Sequence, residues 1–181
     1  MEGLLPGELM PEIELALVRR EERAALDRLI QLYIHDFSEL WAGTPRGELL
    51  DDGSFFMYPL EPYWDEPERV PLFIRRNGHL AGFALVNAVT HSGREADRNM
   101  AEFFVVRKHR RNGIGRTAAQ QIFSRYPGLW EVAVVRRNVQ AQAFWRGAIG
   151  SHPAASDVEE FDLATAAWDG PIIRFRVASG A

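Results

Sequence analysis

Between Glu12 and Val18 apolar and polar side chains alternate, the period-two signature of a half-buried strand. The period then lengthens. From about Arg20 to Trp41, Leu26, Leu29, Ile30, Tyr33, Ile34 and Phe37 recur at spacings of three and four, one face of a helix that Gly43-Thr44-Pro45 ends. The stretch from about Arg46 to Pro71 shows neither period. It mixes Phe55, Phe56, Tyr58, Tyr63 and Trp64 with Asp51, Asp52, Glu61, Asp65, Glu66 and Glu68. That aromatic content is foreign to a disordered linker and predicts an ordered loop or lid packed on the fold.

Regular patterning resumes with Leu72 to Arg75 and Leu80 to Val89, joined by Asn77-Gly78. Asn-Gly between apolar runs predicts a tight hairpin, because both turn positions need positive φ. A third strand is expected from about Asn99 to Val106, then a helix from Gly113 to Tyr126 closed by Pro127-Gly128. Leu129 to Val135 reads as a strand, and Asn138 can cap a short helix running through Ala143 and Phe144 to about Gly147. Two late strands are expected near Val158 to Leu163 and Ile172 to Val177. The order β-α-(loop)-β-β-β-α-β-α-β-β predicts an α/β (α+β) fold with a mixed, largely antiparallel sheet, in one domain spanning 1–181.

Composition narrows the class. Apolar content of 46% and charged content of 25% are those of a soluble globular protein with a substantial core. There is no cysteine, which excludes disulfides and thiolate chemistry and is compatible with a reducing, cytoplasmic setting. Met1 to Pro6 lacks the basic and apolar regions of a signal peptide, and no apolar run is long enough to cross a bilayer. A net charge of -4 argues against a general nucleic-acid binder and gives no membrane-binding signal.

Against that acidic background one stretch is basic: Val105-Val106-Arg107-Lys108-His109-Arg110-Arg111-Asn112-Gly113-Ile114-Gly115-Arg116-Thr117-Ala118. A strand ends, a helix begins, and two glycines sit at the junction. The first amides of a helix are unpaired and lie at the positive end of its dipole. Glycine at 113 and 115 removes Cβ atoms that would hold an anion away, and Arg110, Arg111 and Arg116 add charge, so the junction is suited to a diphosphate. A solvated basic turn capping a helix is the plainer alternative. Two phosphate templates fit. Gly113 to Ala118 matches G-x-G-x-x-A, an NADP-type fingerprint, with Arg136 and Arg137 about twenty residues on. That reading is opposed by the six residues Arg107 to Asn112 between strand and glycine, and by the antiparallel hairpin upstream. Arg110-Arg111-Asn112-Gly113-Ile114-Gly115 also matches R/Q-x-x-G-x-G/A.

The second template, with "MAEFFVV" (Met100 to Val106) before it and "LWEVAVVRRNVQAQAFWRGAIG" (Leu129 to Gly150) after it, resembles the GNAT superfamily of N-acetyltransferases. The resemblance extends from about Glu12 to Val177. It implies a sheet splayed between the strands ending near Val106 and Val135, and acetyl-CoA as acyl donor. Its diphosphate would lie at Arg110, Arg111, Asn112, Gly113, Ile114, Gly115, Arg116 and Thr117. Unpaired backbone groups of Phe104, Val105 and Val106 would bind the pantetheine and stabilise an oxyanion. Asn138 and Phe144 match polar and packing positions beside the cofactor, while a helix cap and a core aromatic are the ordinary roles for those two residues.

The same resemblance points to Glu102 as general base, a carboxylate among Met100, Ala101, Phe103 and Phe104. A structural or solvent-facing glutamate is the alternative. Where the family often carries a tyrosine as general acid this chain has Trp145, whose indole donates a hydrogen bond but gives up no proton. Tyr58, Tyr63, Tyr126 or water are left as substitutes, and a non-catalytic acyl-CoA-binding module is left as a second reading. The expected acceptor is a small-molecule or peptide amine entering beside the first helix and the Arg46–Pro71 segment, whose acids would attract a cation. A homodimer is left open. His35, His79, His91, His109 and His152 show no metal spacing, and no metal site is expected.

Overall fold

The computed structural model describes residues 12–180. The expectation placed on Met1 to Pro6 lies outside them. Seven strands form one sheet in the order β1-β2-β3-β4-β5-β7-β6: β1 (Ile13–Leu17), β2 (Val70–Arg76), β3 (His79–Asn87), β4 (Arg98–Val105), β5 (Gly128–Ala133), β6 (Ala155–Ala164) and β7 (Asp169–Val177). Every pairing is antiparallel except β4 with β5. Four helices flank the sheet: α1 (Arg23–Ser38), α2 (Pro62–Asp65), α3 (Ile114–Arg125) and α4 (Val139–Gly150). This is the mixed, largely antiparallel architecture expected from the apolar pattern.

The two sheet faces bury different things. On one, Leu26, Leu29, Ile30 and Ile34 of α1 pack with Phe73, Phe83, Leu85 and Phe104. On the other, Ile122, Phe123, Trp145, Ala148 and Ile149 of α3 and α4 pack with Met100, Trp130, Val132 and Phe175. β3 is buried from Ala81 to Asn87, as its unbroken apolar run requires of a central strand. Asn77 (φ 48) and Gly78 (φ 79) make the hairpin turn.

The details of several elements go beyond the sequence pattern. The helical span Arg20–Trp41 is as expected, but its two ends, Arg20–Glu22 and Glu39–Trp41, are single 3-10 turns. The Arg46–Pro71 segment is ordered and holds α2, whose proline at its first position is pre-set for a helix. β6 and β7 are longer than their apolar runs. β6 is an edge strand with mostly exposed side chains, so ladder pairing with β7 rather than burial sets its length.

Two irregularities of β4 open and line a cleft. Leu85 pairs with Glu102 but Val86 pairs with Met100, so Ala101 is the extra residue of a bulge. The pairing of β4 with β5 stops after Arg98↔Trp130 and Asn99↔Glu131. Beyond Asn99 the two parallel strands part.

Candidate active site

The bulge decides which way Glu102 points. Met100 packs on the α3–α4 side, whereas Ala101 and Glu102 both turn toward α1. Phe103 then returns to the α4 side, where it stacks on Phe144 at 5.7 Å. Glu102 is half-buried and accepts hydrogen bonds from Tyr33 of α1 and, at 3.1 Å, from Tyr58 of the irregular segment. Burial pushes its carboxyl up from the ordinary range, and the two hydroxyls pull it only part of the way back. The tyrosines respond in kind. Burial and the adjacent Glu102 raise Tyr33 and Tyr58, and the same causes push Tyr63 up to about 12.

Glu131 shows what a purely structural carboxylate looks like here. It is fully buried and pairs with Arg174 at 2.7 Å, and it accepts from Ser92 and from the amides of His91 and Ser92. Among the described residues Glu102 has no such cation; its two partners there are neutral hydroxyls. A carboxylate left in that state is poised to take a proton.

At the other end of β4 the chain makes a 3-10 turn, Arg107–His109, and enters α3 through Arg111 (φ 63) and Gly113 (φ 77). The first helical bond runs from the Thr117 amide to the Gly113 carbonyl at 3.0 Å. That leaves the amides of Ile114, Gly115 and Arg116 open at the positive end of the helix. The two glycines also answer separate local requirements. A Cβ on Gly113 would meet nothing within 4 Å, so its need is the left-handed backbone. A Cβ on Gly115 would stand 3.3 Å from the Phe144 ring, so its need is the close approach of α3 to α4.

The arginines also divide. Arg110 turns inward: its Nε donates to the Val105 carbonyl at 2.6 Å, its guanidinium lies 5.3 Å from the Phe104 ring centroid, and its outer nitrogen pairs with Asp36 of α1. Arg107 reaches the same carboxylate at 3.0 Å. Burial opposes ionisation of Asp36, but the hydrogen bonds from Arg110 and Arg107 hold its carboxyl below the usual range. Arg111, Asn112 and Thr117 are exposed, and the Arg116 guanidinium lies over Gly147 of α4.

One expectation about the backbone needs correction. The Val106 amide is not free in the splay; it donates to the Ala81 carbonyl at 2.9 Å. Antiparallel alternation gives Phe104, two residues earlier, the same sense toward β3. The groups of Val105 and Phe103 therefore face the gap, and the Val105 carbonyl already serves Arg110. Asn138 caps α4 by accepting from the Ala141 amide at 3.0 Å. Phe144 contacts β4 through Phe103. Trp145 is buried among Phe103, Phe123 and Phe144.

Two participants escaped the sequence pattern. Tyr33 reads as one apolar-face position of α1, and Asp36 as the neighbour of His35. Only the packing of α1 across β4 reveals that one meets Glu102 and the other meets two arginines 71 and 74 residues away. Among the described residues no cluster of His, Cys, Asp and Glu is suited to a metal, and His152 is packed against Ser124 and Gln120. Surface cavities of 360 and 540 Å³ lie elsewhere, beside Arg146 and beside Ser124.

Residues 26–150 match the model of the Acetyltransferase (GNAT) family. Solved structures agree in fold. An acetyltransferase from Thermus thermophilus is 16% identical, with 92% of this chain and 97% of that one covered and a TM-score of 0.63. The aminoglycoside acetyltransferase AAC(6')-Ib in complex with coenzyme A is 15% identical, with 92% and 95% covered and a TM-score of 0.58. The PaiA N-acetyltransferase of Thermoplasma acidophilum, in complex with coenzyme A, is 11% identical, with 92% and 99% covered and a TM-score of 0.55. No curated protein sequence matches.

Proposed function

The chain belongs to the GNAT family of acetyltransferases, and from that premise we propose that it moves an acetyl group from acetyl-CoA to an amine by direct attack, with Glu102 as general base. The observation that carries the reading is the parting of β4 from β5 beyond Asn99, with open helix amides at one end and a cation-free carboxylate on the α1 side. The donor suits the residues present: a diphosphate suits the amides of Ile114, Gly115 and Arg116, and a thioester acyl group is what it supplies. The exposed Arg111 and Thr117, with Asn112, flank that turn. Phe144 borders it on the α4 side, and Asn138, the cap of α4, is assigned the polar contact nearer the thioester. The free amide of Val105 is the donor available to a carbonyl oxygen in the splay.

The proton inventory follows from ordinary values. An alkyl amine with a pKa of roughly 10.4 arrives protonated and has no lone pair to attack with. Glu102, raised by burial, is a better acceptor for that proton than a solvated carboxylate. Trp145 has no proton to give, which is the observation favouring the second reading, a module that binds acyl-CoA without turnover. A leaving thiol of pKa about 8.5 needs little help near neutrality, so the lack of a tyrosine there does not forbid catalysis. The cysteine-free composition is consistent with a cytoplasmic setting, and no described helix is long and apolar enough to cross a membrane.

Free-thiol release from acetyl-CoA across an amine panel, with CoA and NADPH compared by titration calorimetry, tests the reading. Binding of CoA, not NADPH, and amine-dependent thiol release are expected. CoA binding without release for any amine would select the binding module.

A further inference from the structure

The acids of the 46–71 segment were expected to attract a cationic acceptor, but most of those near α2 are already neutralised. Glu61 pairs with Arg23, Asp65 with Arg20, and Glu66 with Arg69. Asp36 is held by Arg107 and Arg110. Asp52 accepts from the amide and hydroxyl of Ser54 and so serves its own turn. What the segment does present is apolar. Of the nine large hydrophobic side chains exposed among the described residues, Leu49, Leu50, Phe56 and Tyr58 lie here, and Leu32 lies on α1 beside Tyr33. Phe56 is 75% exposed. Single exposed hydrophobics need no explanation, but four within ten residues of one segment do.

The cluster is held in place. Leu49 bridges to Phe55, the Leu50 amide donates to the Ser54 carbonyl at 2.8 Å, and Gln31 of α1 clamps Phe55 through both its backbone groups. Phe55 and Met57 point into the α1 core while Phe56 and Tyr58 point out. Tyr58 then turns its hydroxyl back onto Glu102. The outward face of the flap is therefore continuous with the proposed base.

On the reading of Glu102 as base, we propose that the acceptor is a monoamine with an apolar body, aromatic or branched alkyl, whose body lies against Phe56 and Tyr58 while its nitrogen meets Glu102. One carboxylate matches one ammonium, and the exposed rings match the body. Glu39, Glu48, Asp51 and Asp52 have no cationic partner among the described residues, so a polyamine is the competitor to be tested.

The experiment compares 2-phenylethylamine and isoamylamine with spermidine and kanamycin at low and high salt. Thiol release reports turnover, and thermal stabilisation of the CoA-bound protein reports amine binding. The monoamines are expected to give the higher kcat/KM with little salt dependence, and Phe56→Ser to raise their KM about tenfold by removing part of an aromatic contact. Phe56→Leu, which removes the ring but keeps an apolar side chain, is the second variant, should Phe56→Ser fold poorly. Preference for spermidine or kanamycin with a steep loss at high salt overturns the proposal. So do unmoved monoamine KM values in both variants, and so does absence of both turnover and stabilisation by monoamines. Stabilisation by monoamines that Phe56→Ser weakens, without thiol release, would retain the apolar acceptor site and remove the catalytic reading instead.

Discussion

The two sides of the cleft are built on different principles. The proposed donor side is contiguous in sequence: residues 105–118 form one strand end, one turn and one helix start, and the groups it offers are backbone amides. The proposed acceptor side is assembled from four separate places, Tyr33 on α1, Tyr58 on the flap, Tyr63 on α2 and Glu102 on β4, and the groups it offers are side chains. A backbone site tolerates most substitutions except those that change φ or crowd the turn. A side-chain site fails with the loss of a single atom. Substitutions on each side should therefore separate cleanly into effects on donor affinity and effects on turnover.

The largest separation is expected at Glu102→Gln. The variant keeps the shape, with one tyrosine hydroxyl turning to accept from the new NH2, but cannot take a proton, so kcat/KM should fall by about 10²–10⁴-fold with CoA affinity unchanged in calorimetry. It should also melt higher than the parent at neutral pH. Because the folded-state pKa of Glu102 is raised, its contribution to stability is present below the ordinary carboxylate value and is lost as pH rises through the folded value. A glutamine never ionises, so the gap in Tm should close in acid. A variant that melts lower at neutral pH would mean that the carboxylate is structural, like Glu131.

On the donor side the corresponding break is Gly113→Val. No atom lies within 4 Å of the would-be Cβ, so the cost is conformational, about 1–2 kcal/mol for an L-residue held at positive φ. If the turn yields instead, the amides move and CoA affinity falls about tenfold, with kcat at saturating donor little changed. A fall in kcat with unchanged donor affinity would place the turn's role elsewhere. A smaller effect, about five-fold on CoA affinity, is expected for Asp36→Asn, which releases Arg107 and Arg110 from their shared carboxylate. Tighter CoA binding in that variant would show that Asp36 competes with the donor for those arginines instead of bracing them.

This division also explains what was legible in the chain. Strand and helix order followed from apolar periodicity, because each element buries one face. The donor turn was legible because Gly113 and Gly115 are local backbone requirements within a short window, although the pattern did not reveal that one answers to φ and the other to Phe144. The direction of Val106 was misjudged because the sense of a strand amide depends on register with β3, which no single strand encodes. Tyr33 and Asp36 were hidden for the same reason: a helix pattern gives the buried face but not the angle at which the helix crosses the sheet. The neutralisation of Glu61 and Asp65 is not legible in the chain, because their partners Arg23 and Arg20 lie about forty residues upstream.

The finest test of the acceptor side is Tyr33→Phe. It leaves the ring in its contacts with Phe37, Phe83 and Phe104 and removes only the hydroxyl. That hydroxyl favours the ionised form of Glu102, whereas burial favours the neutral form and is the larger influence. Removing it tips the balance further toward the acid, so the folded pKa of Glu102 rises. A base works only when deprotonated, so the acid limb of the pH profile of kcat/KM should move to higher pH, with the alkaline plateau nearly kept because Tyr58 still donates. The sign is what matters. If Tyr33 acted only as packing, the limb would stay where it is; if Tyr33 itself were the titrating base, the limb would disappear. A limb that moves up in Tyr33→Phe and vanishes in Glu102→Gln would place the proton on Glu102 and give α1 the task of tuning it.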